Sequence, residues 1–127
     1  MKVKFIPSKE VPADSWLDED VIYTVLCVYA GKDGVLYRLS ASDDTMSPVF
    51  HSAKILTILD HRIPSTWTVH AEVGRSGSMF LEICPAAWMA DGFWERYFDN
   101  DDEARKIFER ERKKIMSEES SDSPTVN

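Results

Sequence analysis

The chain has 127 residues and a mass of 14.5 kDa, which is the usual size of a single domain. It has 22 acidic and 15 basic residues, for a formal net charge of −7, and 43% of its residues are hydrophobic. Residues 103–114 contain six of the basic residues, so the remaining residues carry a larger net negative charge than the chain as a whole. This composition argues against intrinsic disorder and against direct binding to nucleic acid or anionic lipid, both of which attract basic surfaces.

The sequence contains no segment typical of export or membrane insertion. The first seven residues lack the apolar stretch of a signal peptide, and no window reaches the roughly 20 apolar residues of a membrane span. Cys27 and Cys84 lie in apolar, strand-like runs, where cysteines commonly act as small buried hydrophobic residues. A disulfide between them remains an alternative, although nothing else indicates an oxidising compartment. We therefore expect a cytoplasmic protein.

The first half of the chain predicts β-strands. Residues 3–6 have the pattern of a short strand, and residues 21–30 are apolar on both faces, which is typical of a central strand. Residues 31–34 read Gly-Lys-Asp-Gly before the strand pattern resumes at residues 35–40. An Asp-Gly pair in so short a link predicts a β-hairpin.

Four further extended segments are predicted beyond this point, and the last two form a second hairpin. Residues 48–50 and 55–59 look extended, and residues 67–73 alternate strictly between apolar and polar side chains. A glycine-containing turn at residues 74–77 leads into another alternating run at residues 78–84. Such short links predict antiparallel pairing, because a parallel crossover needs a dozen or more residues.

After Pro85 the spacing of apolar residues changes from two to about 3.6, the period of an α-helix. Pro85 suits the first position of a helix, and Gly92 predicts a break between two short helical pieces. A second helix is expected to begin near residues 99–101 and to end at about Met116. Its narrow apolar stripe is interrupted by Glu111, which is typical of a helix lying on the surface of a core.

Together these elements predict an α+β fold: a strongly bent antiparallel sheet or small barrel of five to six strands, followed by C-terminal helices. Residues 1–116 are expected to form a single domain, and residues 117–127 a disordered acidic tail.

The residues needed for catalysis are sparse. His51, His61 and His70 show no helical i, i+4 spacing, and the two cysteines form no metal-binding pair motif. Asp43 and Asp44 are adjacent on an extended chain, so their carboxylates would point to opposite faces. There is no glycine-rich phosphate loop and no nucleophile elbow. We predict that the protein is not an enzyme and uses no metal or cofactor.

An aromatic cluster follows the second hairpin, and it allows two interpretations. Aromatic side chains dominate both protein cores and interface hot spots. Core packing is favoured because the sheet needs a cover, with some of the cluster left exposed. The residues are Trp88, Phe93, Trp94, Tyr97 and Phe98.

Several short motifs, most of them aromatic framework residues, lie within residues 20–115. The first half of the chain contains Tyr23-x-Val25-Leu26, Tyr37-Arg38 and Pro48-Val49-Phe50. The second half contains Ile63-Pro64-Ser65-x-Trp67, Pro85-x-x-Trp88 and Gly92-Phe93-Trp94-Glu95-x-Tyr97-x-Asp99. In this combination the chain resembles small bacterial immunity proteins, the cytoplasmic antidotes encoded beside polymorphic toxins, including those of contact-dependent growth inhibition.

The resemblance implies a protein that binds its cognate toxin, often a nuclease, and neutralises it by stoichiometric occlusion. A basic substrate groove on such a toxin would attract an acidic partner. From charge and predicted exposure, the acidic residues expected at the interface are Asp18, Glu19, Asp20, Asp43, Asp44, Asp99, Asp101, Asp102 and Glu103. The alternative is an acidic protein-interaction module, either an adaptor subunit or a nucleic-acid mimic made by a phage.

Overall fold

The computed structural model describes residues 1–7, 17–42 and 46–121. Within them the predicted α+β class is confirmed: a bent antiparallel sheet, not closed into a barrel, is followed along the chain by helices. The sheet has seven strands, more than the five or six expected. The strands are β1 (Lys2–Phe5), β2 (Ile22–Gly31), β3 (Gly34–Ser40), β4 (Phe50–Ser52), β5 (Leu56–Asp60), β6 (Trp67–Val73) and β7 (Met79–Pro85), and the helices are α1 (Phe93–Phe98) and α2 (Asp102–Ser121).

Strand β2 is the centre of the sheet, as its two apolar faces predicted. One edge pairs with β3, which in turn pairs with β4. The other edge is shared by two strands: β1 pairs with the first part of β2, and β7 pairs with residues 28–30 near its end. Strand β5 then pairs with β1, and β6 pairs with β7. Both predicted hairpins, β2–β3 and β6–β7, are confirmed.

A β-bulge separates the two halves of β2. The pairing with β3 shifts between Val25 and Cys27, so Leu26 is the extra residue. These three consecutive residues are almost completely buried. Because a bulge bends a strand and increases its local twist, it directs the two halves of β2 toward different neighbours. The change of neighbour from β1 to β7 falls at the same place.

The described chain divides into two compact units. The first comprises Met1–Ile63 and Val69–Ile83 and contains most of the sheet. Its buried charged residue, Arg38, donates a hydrogen bond to the carbonyl of Pro48 (2.8 Å) and lies 3.9 Å from the centroid of the Phe50 ring. The core of this unit consists of Val3, Phe5, Leu17, Tyr23, Val25, Leu26, Cys27, Tyr37 and Leu39.

The second unit comprises Pro64–Thr68 and the chain from Cys84 onward, and its core is aromatic. Trp88 is 1% exposed and stacks on Phe108 of α2, with ring centroids 5.0 Å apart. Phe93 and Tyr97 of α1 are also buried, whereas Phe98 is 44% exposed. Core packing is therefore confirmed for most of the cluster, and Phe98 is its exposed edge.

The boundaries of the helical segment differ from the predictions in two places. Pro85 is the last residue of β7 and precedes a 3₁₀ turn at Ala86–Trp88, so it does not itself begin a helix. Helix α2 continues to Ser121, so the expected end at Met116 was wrong and residues 117–121 of the expected tail are helical. Residues 122–127 of that tail lie outside the described residues. The side chain of Glu118 accepts two hydrogen bonds from Ser65, one from its amide and one from its hydroxyl (both 2.8 Å). This contact stabilises the extra turn.

We predict that Trp88→Ala lowers the free energy of unfolding by roughly 3–5 kcal/mol, because it removes a fully buried indole and leaves a cavity. Phe98→Ala is the matched control: it removes an aromatic side chain of the same cluster that is 44% exposed, and it should cost much less. Urea unfolding followed by tryptophan fluorescence and circular dichroism measures both. Equal losses for the two variants would contradict this description of the core.

A second prediction concerns Asp60 and Arg62, at the end of β5. Their side chains form a bidentate ion pair, with Nη2 and Oδ2 2.6 Å apart, and hydrogen bonds from Arg62 hold the pKa of Asp60 well below its usual range. Arg62→Ala should lower the free energy of unfolding by about 1 kcal/mol at neutral pH. A carboxylate with a depressed pKa stabilises the fold above the unfolded-state pKa of about 4, and this contribution decreases as the pH falls.

The difference in unfolding free energy between wild type and Arg62→Ala should therefore shrink as the pH is lowered from about 4 toward 2. Urea unfolding of both proteins over this pH range measures the difference. A difference in unfolding free energy that stays constant with pH would contradict the stabilising role assigned to the Asp60–Arg62 ion pair.

Candidate functional site

Seven of the nine acidic residues chosen from the sequence lie in the described part of the chain, and all seven side chains are exposed. They form two separate groups: Asp18, Glu19 and Asp20 before β2, and Asp99, Asp101, Asp102 and Glu103 between α1 and α2. Asp43 and Asp44 lie outside the described residues. The two groups belong to different units, and each is described by itself.

The first group is held in a turn by local hydrogen bonds. Leu17 is buried, and the amide of Asp18 donates to the hydroxyl of Tyr23 (2.8 Å). The carboxylate of Asp18 then accepts from the amide of Asp20 (2.8 Å), and its carbonyl accepts from Val21 (3.2 Å). Anchoring the turn through a buried leucine and a buried tyrosine leaves the three carboxylates directed to solvent.

An open groove of about 360 Å³ lies beside this turn. Glu19 and Asp20 line one part of it, and residues 4–7 at the end of β1 line the rest. Ile6 is 49% exposed, and Ile22, which pairs with Lys4, is 56% exposed. The surface therefore combines carboxylates with exposed apolar side chains, although Lys4 offsets part of the negative charge.

The second group forms the corner between the two helices. Asn100 adopts the left-handed conformation (φ 62°), which ends α1 and reverses the chain. Asp101 caps α2, because its carboxylate accepts a hydrogen bond from the amide of Ala104 (3.0 Å). Carboxylates at this position also interact favourably with the positive end of the helix dipole. Asp101 is thus the N-terminal cap of α2.

The nearest arginine along the chain is held by neutral partners. Arg105 donates to the carbonyl of Tyr97 (2.9 Å) and to the side-chain oxygen of Asn100 (2.8 Å), and its guanidinium lies 3.9 Å from the Tyr97 ring centroid. Within the described ranges no ion pair involves Asp99, Asp102 or Glu103. Their negative charge is consequently available to an incoming cation.

Phe98 lies directly before these acidic residues in the sequence. Its ring packs on Tyr97 (centroids 5.1 Å apart) and Trp94 (6.1 Å), yet 44% of the residue is exposed. We use the name acidic corner for Phe98, Asp99, Asp101, Asp102 and Glu103. An aromatic side chain surrounded by charge is the arrangement found at interface hot spots, where burial of the ring supplies affinity and the charged rim supplies orientation. The sequence predicted that part of the aromatic cluster is exposed, but it did not identify Phe98 as the exposed residue.

A further open groove, also unexpected from the sequence, lies in the second unit and has a volume of about 520 Å³. It is bounded by Ser65 and Thr66 on one side and by Lys113 and Lys114 of α2 on the other. Glu118, which also lines it, is already hydrogen-bonded to Ser65. The positive charge of this groove is partly balanced, because Lys114 also forms an ion pair with Glu111 (3.5 Å) and Glu118 is one of the lining residues.

The three histidines are not assembled into a reactive group in the described residues. His51 is half-buried, and burial lowers the pKa of its imidazole. His70 is exposed and contacts Glu72 through Nε2 (2.9 Å), whereas His61 is exposed near the end of β5. In residues 1–7, 17–42 and 46–121, no three His, Cys, Asp or Glu side chains are grouped so as to hold a metal ion. Both cysteines are buried, and they form no disulfide with each other.

Among the described helices, none is long and apolar enough to cross a membrane. Comparison of the chain with protein-family models, with curated proteins and with solved structures finds no match.

We predict that Asp101→Ala lowers the free energy of unfolding by about 1 kcal/mol through loss of the helix cap. Asp102→Ala is the matched control, since it removes the same charge from the same turn without removing a capping hydrogen bond, and it should cost clearly less. Asp101→Asn should retain most of the stability because asparagine also caps helices. Thermal unfolding by circular dichroism compares the three, and an Asp102→Ala loss as large as that of Asp101→Ala would contradict the assignment.

Proposed function

We propose that this chain acts by binding a cationic protein, and that it is an immunity protein that neutralises a cognate nuclease toxin domain in the cytoplasm by stoichiometric occlusion. The observation that supports binding is the acidic corner, where four exposed acidic residues follow an exposed phenylalanine along the chain. The immunity role rests on the resemblance of the aromatic framework motifs. Neither part of the proposal requires a catalytic group on this chain.

Charge and apolar contact would have separate effects on such a complex. The net charge of −7 would attract the basic substrate groove of a nuclease and raise the association rate, which salt would lower again. Burial of Phe98 against an apolar pocket of the partner would slow dissociation. The groove beside Glu19 and Asp20, with exposed Ile6 and Ile22, offers a second surface of similar character.

The proposal is tested first by identifying the partner. The tagged full-length chain is purified from its native cells, and proteins retained with it are identified by mass spectrometry. A one-to-one complex with a basic toxin domain whose activity is blocked would support the proposal. Recovery with an adaptor complex, or with a protein whose DNA site the chain occupies, would instead favour the acidic interaction module. Recovery of the chain alone would count against both.

With the partner in hand, surface plasmon resonance separates the two contributions. The double variant Asp102→Lys with Glu103→Lys should lower the association rate at least about tenfold at low salt, with a smaller effect at high salt. Its matched control is Asp33→Lys with Asp91→Lys, which makes the same change in net charge at exposed turn positions that are not part of the corner. Phe98→Ala should mainly raise the dissociation rate, by about tenfold.

Unchanged affinity after charge reversal at all three predicted acidic segments (residues 18–20, 43–44 and 99–103) would refute the proposed interface. A control that weakens binding as much as the corner variant would show that only net charge matters.

A further inference from the structure

Strand β6 is an edge strand, and within the described residues it pairs only with β7. Every residue from Val69 to Val73 is exposed. Edge strands in natural proteins are usually protected from pairing with other chains by short length, by charged side chains (lysine above all), by a proline, by a bulge or by a covering segment. Residues 69–73 read Val-His-Ala-Glu-Val, and contain neither a lysine nor a proline.

Among the described residues no strand pairs with the outer backbone groups of β6, and these groups follow a regular order. The amide of Gly74 donates to the carbonyl of Ser78 (2.9 Å) at the turn of the hairpin. In an antiparallel ladder the residues whose N–H and C=O groups face a given neighbour alternate along the strand. Gly74 faces β7, so the backbone groups of Val69, Ala71 and Val73 face the open edge.

The side chains divide between the two faces of the strand. Val69 and Val73 are 67% and 60% exposed on one face, where Met79 of β7 is also 60% exposed. On the other face His70 and Glu72 lie next to each other, with Nε2 and Oε2 2.9 Å apart. A long, exposed apolar face next to an unpaired edge is a surface suited to extension of the sheet.

We propose that β6 pairs with β6 of a second copy of this chain, antiparallel and centred on Ala71, to form a two-fold symmetric dimer with a continuous sheet. In this register Val69 lies opposite Val73 of the second copy, so the apolar face continues across the dimer axis. On the other face His70 lies opposite Glu72 of the second copy, twice by symmetry. Directly opposed pairs of this kind stabilise a sheet, whereas opposed like charges destabilise it.

Charge complementarity selects this register and this occupant. If the two-fold axis of the dimer passed through Glu72, the two Glu72 carboxylates would lie opposite each other. If it passed through His70, the two imidazoles would lie opposite each other. Only the arrangement centred on Ala71 pairs each histidine with a glutamate while the outward backbone groups of both strands still match. Residues 69–73 are therefore complementary to the same five residues in the antiparallel direction. For this reason a second copy of the chain fits this edge. The contact is small, so the dimer should be weak and reversible.

Sedimentation velocity of the full chain at increasing concentration tests the proposal. The mass is expected to rise from 14.5 kDa toward twice that value over a range of about 1 µM to 1 mM, as mass action requires. Glu72→Lys should weaken dimerisation by about tenfold or more, and adding His70→Glu to it should restore the dimer by exchanging the two charges. Asp91→Lys, with the same change in charge elsewhere, should have no effect.

Cross-linking tests the register directly. In the proposed dimer the two Ala71 Cα atoms are about 5.5 Å apart, which is within reach of a disulfide. The two Val73 Cα atoms are offset from each other by four residues along the strands, or about 13 Å, which is too far for a disulfide. With oxidised glutathione as the oxidant, Ala71→Cys should form a covalent dimer and Val73→Cys far less. The native cysteines are buried and provide the background. A monomer at every concentration, or equal cross-linking of the two variants, would overturn the proposal. Neither result bears on the acidic corner.

Discussion

The sheet depends on the pairing of both backbone edges of β2. Its buried N–H and C=O groups require partners along the whole strand, because an unpaired polar group in a core is costly. Strand β3 satisfies one edge, but the bulge at Leu26 bends β2, and the other edge is divided between β1 and β7. This division brings the N-terminal strand and the second hairpin into one sheet. It also makes β6 an outer strand.

In the proposed function, the charges of the acidic corner serve both folding and binding. Asp101 is committed to capping α2, and Asn100 to the chain reversal. The neighbouring carboxylates gain from the helix dipole but need no partner within the chain. Since Arg105 is held by neutral acceptors and by the ring of Tyr97, it forms no ion pair with them. The helix terminus is thus stable with exposed negative charge, which is the condition for attracting a cationic protein.

The two proposed interfaces differ in chemistry, so they should not compete for one partner. The acidic corner combines charge with a single aromatic ring, which suits a basic surface with an apolar pocket. The β6 edge offers backbone hydrogen bonds, valine side chains and balanced charges, which suit another β-strand. Self-pairing would also protect this edge from less specific association, since it uses the unpaired groups that otherwise favour aggregation.

Local features of the sequence determined the strands, the two hairpins, the break at Gly92 and the acidic start of α2, because turn chemistry and hydrophobic period act over a few residues. The order of strands, the open sheet and the extension of α2 were decided only by tertiary structure, as the contact between Ser65 and Glu118 spans 53 positions. Alternation at residues 67–73 identified which side chains share a face, but not that Val69 and Val73 remain exposed. Whether a side chain is exposed depends on which segments pack against it. For Phe98 and for β6, those segments are distant in the sequence, so local patterns could not predict the exposure.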